Sequence, residues 1–210
     1  IFLIAFFVSI MVTPLIKMLA FRLNVVDYPG RRKIHTKGIP RMGGIGIFIG
    51  FITALLFIQK IHGGIIDKDI VVVLTGSFAV VLLGTLDDIF NIKAPVKLLI
   101  EICIASIVVY FGIGIQFILN PFTSEIVPLG FVAPLISICW ILALMNTINL
   151  IDGLDGLASG VVVISAISLF IISLILGQTV ASAMLIALAG AAIGFLKYNF
   201  NPASIFMGDA

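Results

Sequence analysis

Charged residues are scarce in this sequence. Only 10% of its 210 residues are Asp, Glu, Lys or Arg, whereas 61% are hydrophobic. A soluble domain carries roughly a quarter of charged residues, so this composition excludes a water-covered surface and indicates a protein that has the lipid bilayer as its solvent. Cysteine is equally rare. Cys103 and Cys139 both lie in apolar stretches, which favours small buried side chains over a disulfide or a metal pair.

Other absences narrow the class further. The net charge is only +2, and the basic residues lie in one loop and in pairs rather than on a continuous face, so we expect no nucleic-acid partner. The apolar segments are continuous runs without alternation, which excludes a membrane β-barrel. No internal repeat or low-complexity segment is evident. The first apolar run lacks a small-residue cleavage site, so we do not expect a signal peptide. The chain also lacks an initiator Met and stops directly after a polar motif. We therefore expect a single transmembrane catalytic domain over 1–210, truncated at both ends.

Seven apolar runs are present, each near the roughly 20 residues that a spanning helix needs. They predict an all-α polytopic membrane protein of about seven transmembrane helices, part of a longer bundle. A loop with Asn120, Pro121 and Pro128 separates the fourth run from the fifth and is a candidate for a short hairpin. The runs are 1–19, 42–61, 70–85, 96–111, 131–146, 157–176 and 180–196.

The basic residues predict the orientation of these helices. All the Lys and Arg residues except Lys60 and Lys68 fall in or beside alternate loops on one side of the membrane. Cytoplasmic loops carry the excess of Lys and Arg. We therefore expect the N-terminus outside, the C-terminal end in the cytoplasm, and cytoplasmic loops at 20–43, 86–96, 147–156 and 197–210.

Acidic residues concentrate on the same predicted side. Five of them lie at the ends of otherwise apolar helices, where a carboxylate is costly unless it meets a cation or a polar cavity. Three separate helix ends then present carboxylates at one membrane level, which favours a shared site over simple solvated ends. The acidic residues on this side are Asp27, Asp87, Asp88, Asp152, Asp155 and Asp209.

Spacing supports such a site. Asn146, Asn149 and Asp152 recur every three residues, and Asp155 follows at the same interval, which stacks them on one face if the stretch is helical. The alternative is an amide-rich helix end with glycine caps. Asp87 and Asp88, the aspartate pair that closes the third run, repel each other unless a cation binds. Mg²⁺ accepts one or two carboxylates together with substrate phosphates.

Basic residues near these carboxylates are candidates for phosphate contacts. They are Lys37 and Arg41 in the loop before the second run, and Lys97 beyond the aspartate pair. Positive-inside charge that also attracts anionic lipid is an alternative explanation for each. Lys97 and Glu101 stand at i,i+4, so we expect them to form a structural ion pair.

Four motifs, in order and spacing, resemble one family. They are RRKIHTKGIPRMGG, LGTLDD, NTINLIDGLDGLASG and FMGDA, and together they are similar to the polyprenyl-phosphate N-acetylhexosamine-1-phosphate transferases, also called glycosyl transferase family 4. The resemblance covers nearly the whole chain. The loop with His35 and Arg41 looks like the branch that uses UDP-N-acetylglucosamine.

The resemblance implies a multispanning enzyme of the cytoplasmic membrane, with its active site on the cytoplasmic face. Its donor would be a UDP-N-acetylhexosamine and its acceptor undecaprenyl phosphate, in contact with membrane lipid, and UMP would be released. The implied cofactor is Mg²⁺, with Mn²⁺ as an alternative, and a homodimer stays open. The product would start teichoic acid, lipopolysaccharide or another cell-wall glycan.

The resemblance also implies roles for individual residues. The catalytic positions would be Asp87, Asp88, Asp152 and Asp155, and the metal ligands Asp88, Asn149 and Asp209. The substrate-binding positions would be Lys37, Arg41, Lys97, Asn146 and Asn149.

Other classes of membrane protein remain alternatives from the residues alone. An ion-coupled transporter would place its acidic groups near the midplane of two repeats. An intramembrane aspartyl protease would use Asp209 with a second aspartate and no metal. A CDP-alcohol phosphotransferase would need further aspartates beyond Gly160, where the chain is apolar. A membrane scaffold would give no reason for the carboxylates.

Overall fold

The structure is a computed structural model, which describes residues 1–28, 38–62, 67–123 and 125–210. Within these ranges the chain is almost entirely helical, as the apolar runs predict. Two short antiparallel strand pairs, β1–β2 and β3–β4, occupy loops. The helices are α1 Phe2–Arg22, α2 Gly43–His62, α3 Lys68–Phe90, α4 Ala94–Tyr110, α5 Ala133–Ile151, α6 Leu157–Ile175 and α7 Thr179–Asn199.

Six of the seven described helices are long and apolar enough to cross a membrane, in line with the expectation of about seven spans. The exception among the described helices is α4, whose 17 residues correspond to about 26 Å at 1.5 Å per residue. Pro95 opens it and supplies the φ angle of a first turn without needing a hydrogen bond. The chain enters α4 from a bend at Asn91, which has a left-handed φ of 51°.

Helix α3 runs farther than the apolar pattern predicts. We expected the span to end at 85, yet the helix includes Asp87 and Asp88 and stops at Phe90. Both aspartates are buried and bonded to other segments of the protein. Charge therefore does not end this helix, because the carboxylates face protein groups rather than lipid.

The loop between α4 and α5 forms the short hairpin that was a candidate from the sequence. Strand β3 (Phe117–Leu119) pairs antiparallel with β4 (Ile126–Pro128), and a 3₁₀ turn at Gly130–Val132 leads into α5. At the opposite end of the bundle, β1 (Val26–Asp27) pairs with β2 (Ile39–Pro40). The β1–β2 pair holds the start of α2 close to the end of α1.

Helices α1, α2, α6 and α7 make the most extensive contacts of the described bundle, and α3, α4 and α5 follow one another along its side. Small residues explain the close approach of α1 and α7. A Cβ on Gly190 would lie 2.4 Å from the Phe2 carbonyl oxygen, and one on Gly194 would lie 2.5 Å from that of Phe6. Two glycines four residues apart form the small-residue face that brings membrane helices together.

The segment that follows α7 returns into the bundle. Its backbone pairs with the chain just before α2: the Phe206 N–H donates to the Pro40 carbonyl (2.9 Å), and the Gly43 N–H donates to the Phe206 carbonyl (3.0 Å). We call residues 205–210 the C-terminal strap. A Cβ on Gly44 would lie 1.8 Å from the Ala210 carbonyl oxygen.

Glycine on α3 completes this passage. A Cβ on Gly84 would lie 1.7 Å from the carbonyl oxygen of Asp209, so only glycine lets the strap run between α2 and α3. Gly43 and Gly44 at the start of α2 also lie close to the strap, against the carbonyl groups of Phe206 and Ala210.

Candidate active site

The Lys97 side chain lies at the centre of the polar cluster. Its Nζ is 2.8 Å from Asp87 Oδ2 and 2.8 Å from Asp209 Oδ2. With its amide oriented to satisfy both neighbours, Asn149 accepts from Lys97 Nζ at 3.0 Å and donates to Asp209 Oδ1 at 2.7 Å. Three oxygens from α3, α5 and the strap therefore surround one ammonium group.

The two members of the aspartate pair have different surroundings. Asp87 Oδ1 accepts from the Ile92 N–H at 2.7 Å, while its Oδ2 binds Lys97. Both oxygens of Asp87 are thus engaged, one with the bend between α3 and α4 and the other with the lysine. The geometry makes Asp87 a group that orients Lys97.

Asp88 and Asp152 hold the backbone of the strap. The Asp209 N–H donates to Asp88 Oδ2 (3.1 Å), and the Gly208 N–H donates to Asp152 Oδ2 (3.1 Å). Gly208 has a φ of 75°, a conformation that costs glycine little. Two successive N–H groups are bound in this way by carboxylates from different helix ends.

The second oxygens of these two carboxylates are left over. Asp88 Oδ1 and Asp152 Oδ1 are buried and have no hydrogen-bond partner among the described residues. A buried carboxylate oxygen without a partner is costly. Such an atom suits a position where a cation or a substrate group binds.

The pKa values of Asp152 and Asp209 also indicate a site that attracts a cation. Burial raises the pKa of Asp152 to about 7. Burial, together with the nearby Asp87 carboxyl, also raises the pKa of Asp209 in spite of the contact with Lys97. The cluster holds more negative charge than Lys97 neutralises, which is the condition for binding a further cation.

The described residues offer Mg²⁺ a partial set of ligands. Among the residues that the structure describes, no three Asp, Glu, His or Cys side chains gather into a complete metal site. Mg²⁺ is usually held by one or two protein carboxylates plus substrate phosphates. The unpartnered oxygens and the Asn149–Asp209 pair fit that incomplete mode of binding.

Asn146 lies beneath the cluster rather than within it. Its amide nitrogen donates to Glu101 Oε2 at 2.9 Å and to the Leu142 carbonyl at 3.0 Å. Glu101 is therefore bonded to α5, and the expected pair with Lys97 is replaced because Lys97 reaches Asp87 and Asp209 instead. The contact joins α4 to α5 one turn below the lysine.

Asp155 is not brought to the cluster. Helix α5 ends at Ile151, so the predicted common face does not continue past Asp152. Asp155 Oδ2 accepts from the Ala203 N–H (2.9 Å) and from the Asn201 amide (3.1 Å). It holds the turn between α7 and the strap.

The predicted phosphate contacts divide into three cases. Lys97 lies in the cluster. Arg41 forms an ion pair with Asp27, and its charge acts on the Asp152 carboxyl, so it borders the cluster. Lys37 lies outside the described residues.

The sequence analysis did not identify the residues that position the start of the strap. Asn199 is fully buried; its Oδ1 accepts from the Ser159 hydroxyl (2.7 Å), and its Nδ2 donates to the Ile205 carbonyl (3.1 Å). An Asn at the end of an apolar helix was the available signal, but without its partners it reads as a solvated end.

Comparison with known proteins identifies the family of the chain. A family model described as Glycosyl transferase family 4 matches residues 70–210, which include the whole cluster. The chain is 38% identical to the probable undecaprenyl-phosphate N-acetylglucosaminyl 1-phosphate transferase of Bacillus subtilis (strain 168), over 98% of this chain and 58% of that protein.

Two further relatives have related names. Identity is 31% to the decaprenyl-phosphate N-acetylglucosaminephosphotransferase of Mycobacterium tuberculosis (strain ATCC 25618 / H37Rv), over 93% of this chain and 52% of that protein. It is 32% to the phospho-N-acetylmuramoyl-pentapeptide-transferase of Desulforudis audaxviator (strain MP104C), over 99% of this chain and 69% of that protein. The chain thus spans little more than half the length of the first two relatives. It belongs to glycosyl transferase family 4.

Proposed function

We propose that the full-length protein transfers N-acetylglucosamine 1-phosphate from its UDP-sugar to undecaprenyl phosphate and releases UMP. The observation that carries this proposal is the cluster of Lys97, Asn149 and Asp209 with the carboxylates of α3 and α5, in a member of this family. The product would be the first membrane-bound intermediate of an envelope glycan.

The reaction brings together two anions. An oxygen of the lipid phosphate attacks the sugar-side phosphorus of the diphosphate, a new P–O bond forms, and the bond to the bridging oxygen breaks so that UMP leaves with it. Phosphoryl transfer depends mainly on positioning and charge neutralisation. A bound Mg²⁺ would supply positive charge at the diphosphate.

The residues of this chain would divide that work. Lys97 would contact a phosphate, with Asp87 fixing its approach. Asp88 and Asp152 would hold the strap in place and turn their second oxygens towards the bound cation. A phosphate has its second pKa near 6, so the lipid nucleophile is already ionised and needs no general base, in agreement with the engagement of both Asp87 oxygens.

We infer that the cluster faces the cytoplasm. The described basic residues at this end of the bundle include Lys17, Arg41, Lys93 and Lys197, whereas the opposite end has Lys60 and Lys68. The positive-inside rule supports a position of the cluster beside the soluble nucleotide sugar. The protein would reside in the cytoplasmic membrane.

Family membership favours this reaction over the other classes that the residues leave open. An ion-coupled transporter and an intramembrane aspartyl protease both need acidic groups well inside the bilayer. Here Asp152 and Asp209 lie beyond the ends of α5 and α7.

The direct test incubates the purified full-length protein with radiolabelled UDP-N-acetylglucosamine and undecaprenyl phosphate. A lipid-extractable product that requires Mg²⁺ and disappears with EDTA is expected. UDP-N-acetylmuramoyl-pentapeptide serves as the competing donor, because one relative carries that activity in its name. If only UDP-N-acetylmuramoyl-pentapeptide served as donor, the assignment of N-acetylglucosamine would be wrong. If product still formed in the presence of EDTA, the proposed metal dependence would be wrong.

The matched variants are Asp88→Asn and Asp69→Asn, which make the same change at the two ends of α3. Asp88→Asn keeps an acceptor for the Asp209 N–H but removes the charge, so a loss of about 100-fold or more in kcat is expected. Asp69→Asn, in the first turn of the helix, should retain activity. Equal effects of the two changes would contradict a site at Asp88.

A further inference from the structure

The oxygens around Lys97 are of the kind that a divalent cation selects. Carboxylate oxygens of Asp87 and Asp209 and the amide oxygen of Asn149 lie 2.8, 2.8 and 3.0 Å from its Nζ. Hard cations prefer such oxygen ligands. The lysine ammonium thus occupies a coordination position made by three separate elements of the fold.

An ammonium group and a divalent cation cannot both use these oxygens. Mg²⁺ binds its ligands at about 2.1 Å, and two cations that share ligands repel each other strongly in a partly buried site. The Lys97 side chain is only 14% exposed, so water screens little of that repulsion. Binding of the cation at Asp209 and Asn149 requires Lys97 to leave.

Lys97 is able to leave. It lies in the first turn of α4, next to the bend at Asn91, and a lysine carries its charge on a flexible four-carbon stem. Its contacts to Asp209 and Asn149 are made by side chains alone. The same charge, once free, would be available to a substrate phosphate.

We propose that Lys97 and the divalent cation exchange places: the cation takes the Asn149 and Asp209 oxygens, and Lys97 moves to the substrate phosphates. This inference rests on the proposed metal-dependent function. It couples the arrival of the metal to the release of the lysine, so the phosphate-binding lysine is available only in a site that holds its cation. The competing arrangement leaves Lys97 in place and holds the cation on Asp88 Oδ1 and Asp152 Oδ1 alone, without the Asn149 and Asp209 oxygens.

The first test measures Mn²⁺ binding by electron paramagnetic resonance, on the full-length protein in nanodiscs without substrate. Lys97→Met keeps the apolar stem and removes the competitor, so Mn²⁺ affinity should rise by about 10-fold or more. Lys93→Met is the matched control. It removes the same charge from an exposed lysine four residues earlier, at the N-cap of α4, and screening limits its effect to about 3-fold or less.

The outcomes separate the exchange from the function on which it rests. If Lys97→Met and Lys93→Met raise affinity equally, the exchange is wrong while the metal site stands. If neither the unmodified protein nor the variants bind Mn²⁺, both the exchange and the metal-dependent function are wrong.

A second test needs no variant and guards against misfolding of Lys97→Met. Lysines of the unmodified protein are acetylated with and without saturating Mg²⁺, and the modified residues are quantified by mass spectrometry. Labelling of Lys97 should increase several-fold with Mg²⁺, while labelling of Lys93 stays constant. Unchanged or reduced labelling of Lys97 would overturn the exchange.

Discussion

At the residue scale, the cluster is organised by backbone groups as much as by side chains. Asp88 and Asp152 accept from the successive N–H groups of Asp209 and Gly208. Each carboxylate therefore has one oxygen bonded to the strap and one oxygen without a partner among the described residues. The position of Asp209 is therefore fixed from both sides. A change to the backbone at this point acts on all three carboxylates together.

Gly208→Ala tests this arrangement. The added Cβ would lie 2.4 Å from Asp88 Oδ2 and 2.8 Å from the Met42 nitrogen, and the left-handed backbone of Gly208 is itself unfavourable for alanine, by roughly 1–3 kcal/mol. We expect activity to fall by about 10-fold or more, because misplaced groups lose transition-state contacts, and the melting temperature to decrease.

Gly153→Ala is the control for that change. Gly153 belongs to the glycine-rich turn after α5, but a Cβ there meets no atom within 4 Å. Activity and melting temperature should stay close to those of the unmodified protein. If Gly208→Ala behaved like Gly153→Ala, the strap would not be held as tightly as described.

At the element scale, small residues rather than large ones decide how the helices pack. Helices α1 and α7 approach each other closely at Gly190 and Gly194, and alanines dominate the buried positions of α7. Since α7 leads directly into the strap, the α1–α7 contact also determines where the strap begins.

Gly194→Ala should loosen this contact. Its Cβ would lie 2.5 Å from the Phe6 carbonyl oxygen, which is backbone and cannot turn aside, so the helices must separate. The melting temperature in detergent should fall by several degrees. The matched change Gly160→Ala, on α6, meets no atom within 4 Å and should be neutral or stabilising, since alanine favours a helix over glycine by up to about 1 kcal/mol.

At the scale of the whole molecule, the helices alternate in direction, so the polar cluster and the β3–β4 hairpin lie at opposite ends of the bundle. The proposed orientation puts the hairpin outside the cell. Phe122, in the hairpin turn, is 95% exposed, and Lys93, near the cluster, is exposed at the other end. These two positions make the orientation measurable.

Single cysteines at those positions should report opposite sides of the membrane. In a background that carries Cys103→Ala and Cys139→Ala, we expect a membrane-impermeant maleimide to label Phe122→Cys in intact bacterial spheroplasts. Lys93→Cys should be labelled only after the cells are permeabilised. The reverse pattern would place the cluster outside and rule out a cytoplasmic nucleotide sugar as donor.

Much of this architecture could be predicted from the sequence. Continuous apolar runs located all seven described helices to within a few residues, because a bilayer demands unbroken hydrophobic length. The spacing of Asn146, Asn149 and Asp152 indicated one helical face, and it ends where α5 ends, at Ile151. A run of about 16 apolar residues at the α4 position read as a span, although that helix is short.

What could not be predicted were the contacts between distant segments. Nothing near Gly84 in the sequence shows that Asp209 passes over it, and the i,i+4 rule paired Lys97 with Glu101 because local spacing was the only information. The different surroundings of Asp87 and Asp88 arise from the bend at Asn91 and from the strap, which are tertiary features.

The position of the strap in the sequence determines when the polar cluster forms during biosynthesis. Asp88 and Asp209 are 121 residues apart, so a ribosome that has released the aspartate pair must still make four more helices before the partner backbone emerges. Until then the early carboxylates lack their N–H donors and the lysine lacks Asp209. The polar cluster therefore assembles in one late step, after α7 has been made.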